Sequence, residues 1–282
     1  MSNATTLLRA LSSTLETAGF EEPFKEAEEL LLSGLKIGKT ALYRDNPPVE
    51  KPLLKRIKTL LKRRLKRVPL QYLTGYTEFF ELKIFTPPGV FIPRPETETL
   101  VEETLNLIRE EGLQKSLILD LCTGTGCIAL CLALHLPDAV VYGVDISERA
   151  INTAVMNASV NSIKNVYFLK GDLFEPVKGR RFRLIVSNPP YVKSIEIEGL
   201  PPEIRLYEPL EALYAGRDGL EFYRRILHNS GDFLEDDGYL LLELGIGQAS
   251  QISAMARDRG FSSVKIIKDL SGVDRVIILR KE

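Results

Sequence analysis

Tryptophan is absent from this 282-residue chain, and histidine (two residues), cysteine and methionine (three each) are scarce. The cysteines, Cys122, Cys127 and Cys131, crowd into one short stretch, whereas His135 and His228 stand far apart in sequence. Cys127 and Cys131 share a helical face at i, i+4, yet no C-x-x-C pair or histidine cluster accompanies them. No metal site is therefore expected, and the thiols read as small packed groups of a reduced compartment. Charge of one sign is also missing: the net charge is −1, so no global field draws nucleic acid, and any contact with RNA or an acidic partner has to come from a local patch. Long apolar runs are missing as well. Residues 117–144 come nearest, but Asp120, Gly124, Gly126, Pro137 and Asp138 interrupt them, so they read as strand, loop, helix and strand rather than a membrane span. The N-terminus is polar where a signal peptide needs an apolar core, which points to a cytoplasmic protein with no membrane partner.

What is present is an ordinary globular composition, 44% hydrophobic and 27% charged, in a chain long enough for one large domain and a smaller one. Residues 4–68 read as helices. Leu7, Leu8, Leu11 and Leu15 keep a helical spacing up to Gly19, and a second helix runs from about Pro23 to Leu35 with Ala27, Leu30 and Leu31 inward. A third begins at Pro52 and places Leu53, Ile57, Leu60, Leu61, Leu65 and Val68 on one face. Its other face carries Lys51, Lys55, Arg56, Lys58, Lys62, Arg63, Arg64, Lys66 and Arg67 with no acidic residue between 51 and 70. That face is either plain solvated surface or a docking surface for an RNA-rich or acidic partner. Three parts follow: a helical N-terminal domain over 1–74, a β-hairpin linker over 75–90, and a large domain over 91–282.

The large domain alternates strands and helices. Strands are expected at Leu117–Leu121, Ala139–Val144, Val166–Leu169, Phe182–Val186, Tyr239–Leu244, Val264–Lys268 and Arg275–Leu279. The intervening helices run from about Pro95 to Glu111, from Gly126 to His135, from a Ser147 cap, over Gly219–Leu234 and over Gln248–Arg259. Alternation of this kind builds a parallel sheet with helices on both faces. The last two strands have no room for a crossover helix, so they pair antiparallel.

Two stretches carry chemistry. Ser187-Asn188-Pro189-Pro190-Tyr191 follows the apolar run Arg183–Val186, and two prolines force the chain out of the sheet at the strand's carboxyl end, where open α/β sheets bind ligands. Asn188 offers a side-chain acceptor, and Pro189, lacking an N–H, keeps its carbonyl for a ligand. Two neighbouring acceptors can hold both hydrogens of one planar NH2 group, and Tyr191 gives a flat group a face to lie against. The second stretch is Cys122-Thr123-Gly124-Thr125-Gly126, which follows a strand, opens a helix and has Asp145 nineteen positions beyond Gly126. It satisfies a dinucleotide fingerprint and by itself suits NAD about as readily as S-adenosylmethionine. In either case the glycines admit the ligand to the backbone and Asp145 accepts from ribose hydroxyls. Asp172, at the end of the third strand, is placed to reach an adenine amine. Nothing in the second half announces the hydride-transfer site that a dehydrogenase needs, whereas Asn188–Tyr191 suits methyl transfer to nitrogen.

With these motifs, and with Phe91–Glu98, Gly143–Ser147, Gly171–Phe174, Tyr207–Leu213 and Asp218–Leu220 in the same order, nearly the whole chain resembles the HemK/PrmC family of protein-glutamine N5-methyltransferases. The resemblance implies a class I S-adenosylmethionine-dependent methyltransferase fold: a Rossmann-like seven-stranded sheet ending in an antiparallel hairpin, with a small helical N-terminal domain for substrate recognition. It implies transfer of a methyl group from S-adenosylmethionine, leaving S-adenosylhomocysteine, to the glutamine of the Gly-Gly-Gln motif of class I peptide-chain release factors. Asn188, Pro189 and Tyr191 are then the catalytic residues, with Pro190 beside them in the substrate site. Cys122, Thr123, Gly124, Thr125, Gly126, Asp145, Asp172, Leu173 and Asn188, with Phe91 and Arg94, are the cofactor residues. A monomer without a nucleic-acid substrate is expected. Cys122 departs from the glycine frequent in the release-factor enzymes; Cys-Thr-Gly occurs in the sister family acting on a large-subunit ribosomal protein, while Arg94–Glu98 is of the release-factor type. Besides that sister activity, adenine-N6 methylation, an NAD-dependent oxidoreductase and a non-catalytic assembly factor are the rival readings.

Overall fold

The computed structural model describes residues 3–281, which separate into two compact units. The smaller comprises the chain up to Tyr76 together with Pro201–Tyr207; the larger comprises Thr77–Leu200 and the chain from Glu208 onward.

The smaller unit is helical: α1 (Ala4–Thr17), α2 (Pro23–Leu35), α3 (Lys39–Asp45), α4 (Lys51–Arg64), α5 (Leu70–Thr74) and α9 (Pro202–Tyr207), which joins it from later in the chain. The leucine stripe of α1 is buried as its spacing requires. Gly34 lets α2 approach α4: a Cβ there would lie 2.4 Å from Cγ1 of the fully buried Ile57. Periodicity does not reveal α3 or α5, because helices of seven and five residues are too short to repeat a face.

The basic helix differs from its sequence pattern in two residues at its end. Arg64, counted among the solvated cations, is buried: its guanidinium donates to Glu26 at 2.9 Å and Glu203 at 3.1 Å, and lies 4.2 Å above the Phe20 ring. Leu65, assigned to the inner face, is instead exposed. Two carboxylates and an aromatic face compensate the guanidinium's desolvation at the last residue of the helix.

The larger unit opens with a hairpin, β1 (Tyr76–Phe79) and β2 (Leu82–Phe85), followed by α6 (Glu98–Glu111), β3 (Leu117–Leu121), α7 (Cys127–His135), β4 (Val140–Asp145), α8 (Glu148–Val160), β5 (Val166–Lys170) and β6 (Phe182–Ser187). It closes with α10 (Glu221–Phe233), β7 (Leu234–Glu243), α11 (Ala249–Asp258), β8 (Phe261–Lys268) and β9 (Asp274–Lys281). A seven-stranded sheet has the order β5-β4-β3-β6-β7-β9-β8. β3 to β7 are parallel, and β9 runs antiparallel to both its neighbours.

Alternate residues of each strand feed two cores. Ile118, Val141, Leu184 and Leu241 pack with α6, α7 and the hairpin residues Phe79, Leu82 and Ile84, while Leu119, Ile185, Leu240 and Leu242 pack with α10 and α11. The hairpin thus fills core on the α6–α7 face of the sheet. β7 begins earlier than its apolar run: Leu234 already pairs with Phe182, and a bulge absorbs the polar residues that follow.

The sheet's direction of winding reverses between β3 and β6. Leu121 is the register partner of Val144 on one side and Ser187 on the other, and Ser187 in turn partners Leu242. Cys122, Asp145, Asn188 and Glu243 are therefore the next residues along four adjacent strands, at the carboxyl ends of the strands around the switch point, with about 4.8 Å between neighbouring strands. Among the described residues no helix is long and apolar enough to cross a membrane.

Candidate active site

The loop after β3 is a backbone device. Cys122, Gly124 and Gly126 all take left-handed conformations, with φ of 58°, 55° and 82°. A Cβ on Gly124 would meet no atom within 4 Å, so this residue faces open space; one on Gly126 would lie 2.9 Å from Ala154 Cβ and from Phe168. The first glycine admits a ligand and the second admits the helix against its neighbours, the two separate uses of glycine in such loops.

The threonines hold the loop from inside. Thr123 Oγ1 donates to Asp120 Oδ2 at 2.6 Å, and the Thr125 carbonyl accepts from Asn157 at 2.9 Å; both residues are buried. Thr123 and Thr125, expected among the cofactor residues, thus have inward roles for these groups. Asp120, which the motif contains but the sequence reading leaves unassigned, is fully buried under the start of α7 and also accepts from the Ala129 N–H. Burial pushes its carboxyl up to about 7, against the opposing hydrogen bonds.

Asp145 is the ordered carboxylate of these strand ends. Its Oδ2 accepts from the Gly124 N–H and its Oδ1 from the Ser147 N–H, both at 2.9 Å, while burial raises its pKa. Beside it, Ile146 presents an exposed apolar side chain that the sequence reading does not single out. The Gly171 N–H donates to the Asp145 carbonyl, which brings the end of β5 alongside. There Asp172 is ion-paired with Arg225. Leu173, at φ 48°, turns its side chain into the core beside Phe174 and leaves only main chain for a ligand. Burial and the Asp145 carboxylate push the Cys122 thiol up, which disfavours its thiolate.

At the end of β6, Ser187 Oγ donates to the Leu121 carbonyl at 2.7 Å and fastens the two strand ends together. Asn188 Nδ2 donates to Thr97 Oγ1 at 3.0 Å, and Thr97 Oγ1 donates to Glu243 Oε2 at 2.6 Å. Tyr191 approaches Glu243 Oε1 at 3.4 Å through its hydroxyl, and its carbonyl accepts from Gln248 at 3.1 Å. Pro189 and Pro190 are buried, and among the described residues none donates to the Pro189 carbonyl or to Asn188 Oδ1. Two successive residues therefore each carry an acceptor without a partner, at the end of the strand next to the one that leads into the glycine loop.

The Phe91–Glu98 segment joins this side of the site. Arg94 lies 4.8 Å above the Phe91 ring and pairs with the buried Glu208, which also accepts from the Ile92 N–H at 3.2 Å. Burial raises the Glu208 carboxyl against the pull of Arg94. Thr97 and Glu243 are the residues that sequence reasoning missed. The available signal for Glu243 was the one used for Asp145, an acidic residue ending an apolar strand.

S-adenosylmethionine fits the groups present: a glycine open to a ligand, an oriented carboxylate one strand over, and unpartnered acceptors on the next strand. The family model described as PrmC N-terminal domain matches residues 6–75, and the one described as Methyltransferase small domain matches residues 81–199. A release factor glutamine methyltransferase of Thermodesulfovibrio yellowstonii is 46% identical over 97% of this chain and 99% of its own. The chain belongs to the release factor glutamine methyltransferase family.

Another member, from Geobacter sulfurreducens, is 41% identical over 93% of this chain and 91% of its own. Among solved structures, a methyltransferase from Pyrococcus furiosus superposes with a TM-score of 0.56 at 21% identity, covering 78% of this chain and 98% of that one. A T. thermophilus 16S rRNA guanine-N2 methyltransferase in complex with AdoMet and guanosine gives 0.56 at 19% identity over 73% of this chain and 50% of that one. These two show the fold alone. It is the class I methyltransferase fold expected from the sequence, with its terminal antiparallel hairpin and a helical N-terminal region.

Proposed function

We propose that this family member methylates the side-chain amide nitrogen of the glutamine in the Gly-Gly-Gln motif of a class I release factor, using S-adenosylmethionine. The observation that carries the reading is the pair of unpartnered acceptors, Asn188 Oδ1 and the Pro189 carbonyl, one strand from the glycine loop.

Cys122–Gly126, Asp145 and the main chain around Asp172 and Leu173 hold the cofactor, with the Asp145 carboxylate accepting from ribose hydroxyls. When bound, the cofactor supplies a methyl group already activated on sulfonium sulfur. An amide nitrogen is a poor nucleophile because its lone pair is delocalised. Asn188 Oδ1 and the Pro189 carbonyl accept its two hydrogens, which fixes the plane of the amide and aims the nitrogen lone pair, perpendicular to that plane, at the methyl group. The same two oxygens stabilise the positive charge that grows on nitrogen as the new bond forms. Tyr191 packs against the amide. The methylated nitrogen is strongly acidic, so its proton leaves to water without a dedicated base, and neutral amide is restored. Residues 1–74 recognise the protein substrate, and the enzyme works as a cytoplasmic monomer on protein rather than nucleic acid.

The test is incubation of enzyme and tritiated cofactor with a release factor, ribosomal proteins and nucleic acid separately. Label on the Gly-Gly-Gln glutamine alone is expected. Label on a ribosomal protein, or on nucleic acid, with none on the release factor would overturn the reading.

A further inference from the structure

Thr97 and Glu243 are tied to Asn188 by hydrogen bonds, and their chemistry leaves little freedom. An ionised carboxylate only accepts, so the Thr97 hydroxyl must direct its hydrogen at Glu243, 2.6 Å away. The hydroxyl then offers Asn188 nothing but a lone pair. Asn188 must meet it with NH2, as observed at 3.0 Å, and its Oδ1 is left for a ligand. An asparagine amide is nearly symmetric in shape, so packing alone cannot choose between its two ends; a hydrogen-bond chain of fixed polarity can. Resting on the reading of Asn188 above, we propose that Thr97 and Glu243 are positioning residues that hold the Asn188 amide oxygen-outward, toward the substrate nitrogen.

The chain inverts if Glu243 gains a proton. A carboxylic acid can donate to Thr97, Thr97 can then donate to Asn188, and the amide can turn its NH2 outward, where it repels the hydrogens it should accept. Glu243 is well placed for such a change: burial pushes its carboxyl up to about 7, opposed by hydrogen bonds from Thr97 and Tyr191 and by the charge of Arg275 on β9. Glu96 adds to the rise. From α10, Tyr223 is neutral and its hydroxyl donates to the Glu243 main-chain carbonyl at 2.8 Å, and on α7 the neutral Cys127 thiol feels the Glu243 charge.

The experiment compares Thr97→Val and Thr97→Ser with wild type in methyl transfer to a release factor, alongside cofactor affinity by calorimetry. Valine keeps the shape and loses both polar roles. It should lower kcat roughly tenfold to a hundredfold with cofactor Kd within about threefold, and serine should restore most of the rate. Independently, wild-type kcat should fall roughly tenfold from pH 8 to pH 6, and Glu243→Gln, which has no proton to gain, should lose that acid limb whatever its plateau. Unchanged kcat in Thr97→Val, serine no better than valine, or an acid limb surviving in Glu243→Gln would each overturn the inference. Should Thr97→Val fail to bind cofactor, the pH profile of Glu243→Gln decides. Loss of rate in Asn188→Ala alone would leave the functional reading standing and sink this one; normal rates in all variants would sink both.

Discussion

The main-chain N–H of Gly124 donates to the carboxylate of Asp145 at 2.9 Å, so the first glycine of the β3 loop and the acid that ends β4 hold each other in place. The loop's shape and the carboxylate proposed to accept from ribose are thereby one unit. Asp145→Ala should weaken cofactor affinity by tenfold or more, since two N–H groups lose a charged acceptor together. Asp145→Asn, which has one oxygen for the two donors served separately by Oδ1 and Oδ2, should fall between. Isothermal titration with S-adenosylmethionine decides it, and equal affinities across the three proteins would refute the coupling.

Asn188→Ala should cut kcat by roughly 10²-fold or more, the scale lost when one preoriented polar group is removed from a reacting centre. Cofactor affinity should change far less, because most of the groups proposed to hold the cofactor lie on the neighbouring strands. Single-turnover methyl transfer at saturating cofactor measures the first, and near-normal turnover would end the assignment of Asn188.

Cys122 sits at φ 58°, a conformation that costs a side-chain-bearing residue about 1–2 kcal/mol and glycine almost nothing. Cys122→Gly should therefore leave cofactor binding and thermal stability near wild type, the relieved strain offsetting glycine's greater freedom in the unfolded chain. Cys122→Val should destabilise clearly, because a β-branched residue resists the left-handed region. Thermal unfolding of the three proteins orders them; valine as stable as cysteine would show the loop backbone to be softer than its hydrogen bonds suggest.

Stability should depend on pH through Asp120 and Glu243, whose carboxyls burial raises to about 7. For a carboxyl raised on folding, the folded state binds the proton more tightly. The stabilisation is full below the unfolded pKa near 4 and is lost as pH climbs through about 7. The melting temperature of the ligand-free protein should thus be higher at pH 5.5 than at pH 8, and Asp120→Asn should flatten the difference. A melting temperature that rises over this interval would contradict the burial argument.

Much of this was legible in the residues. Leu117–Leu121, Val166–Leu169 and Phe182–Val186 are short β-branched or leucine-rich runs bounded by turn formers, and the structure turns each into a strand within a residue or two of those limits. The short turn between the last two strands required an antiparallel pair, and one is present. Less legible were α3 and α5, too short for a period, and the inward Arg64, because a cation's burial depends on carboxylates that arrive from Glu26 and Glu203, remote in sequence.

Local spacing alone established where the chain must leave the sheet, into the Cys122–Gly126 loop and at Asn188, because glycine permissiveness and proline's missing N–H act on the nearest neighbours. It could not say which partners the Asn188 side chain and the Thr125 carbonyl would take. Those came with strand register and with partners remote in sequence: Asn188–Thr97 and Thr97–Glu243 are 91 and 146 residues apart, and Thr125–Asn157 is 32. Hydrogen-bond polarity passes only between groups in contact, and contact between distant parts of a chain exists only once the sheet has formed.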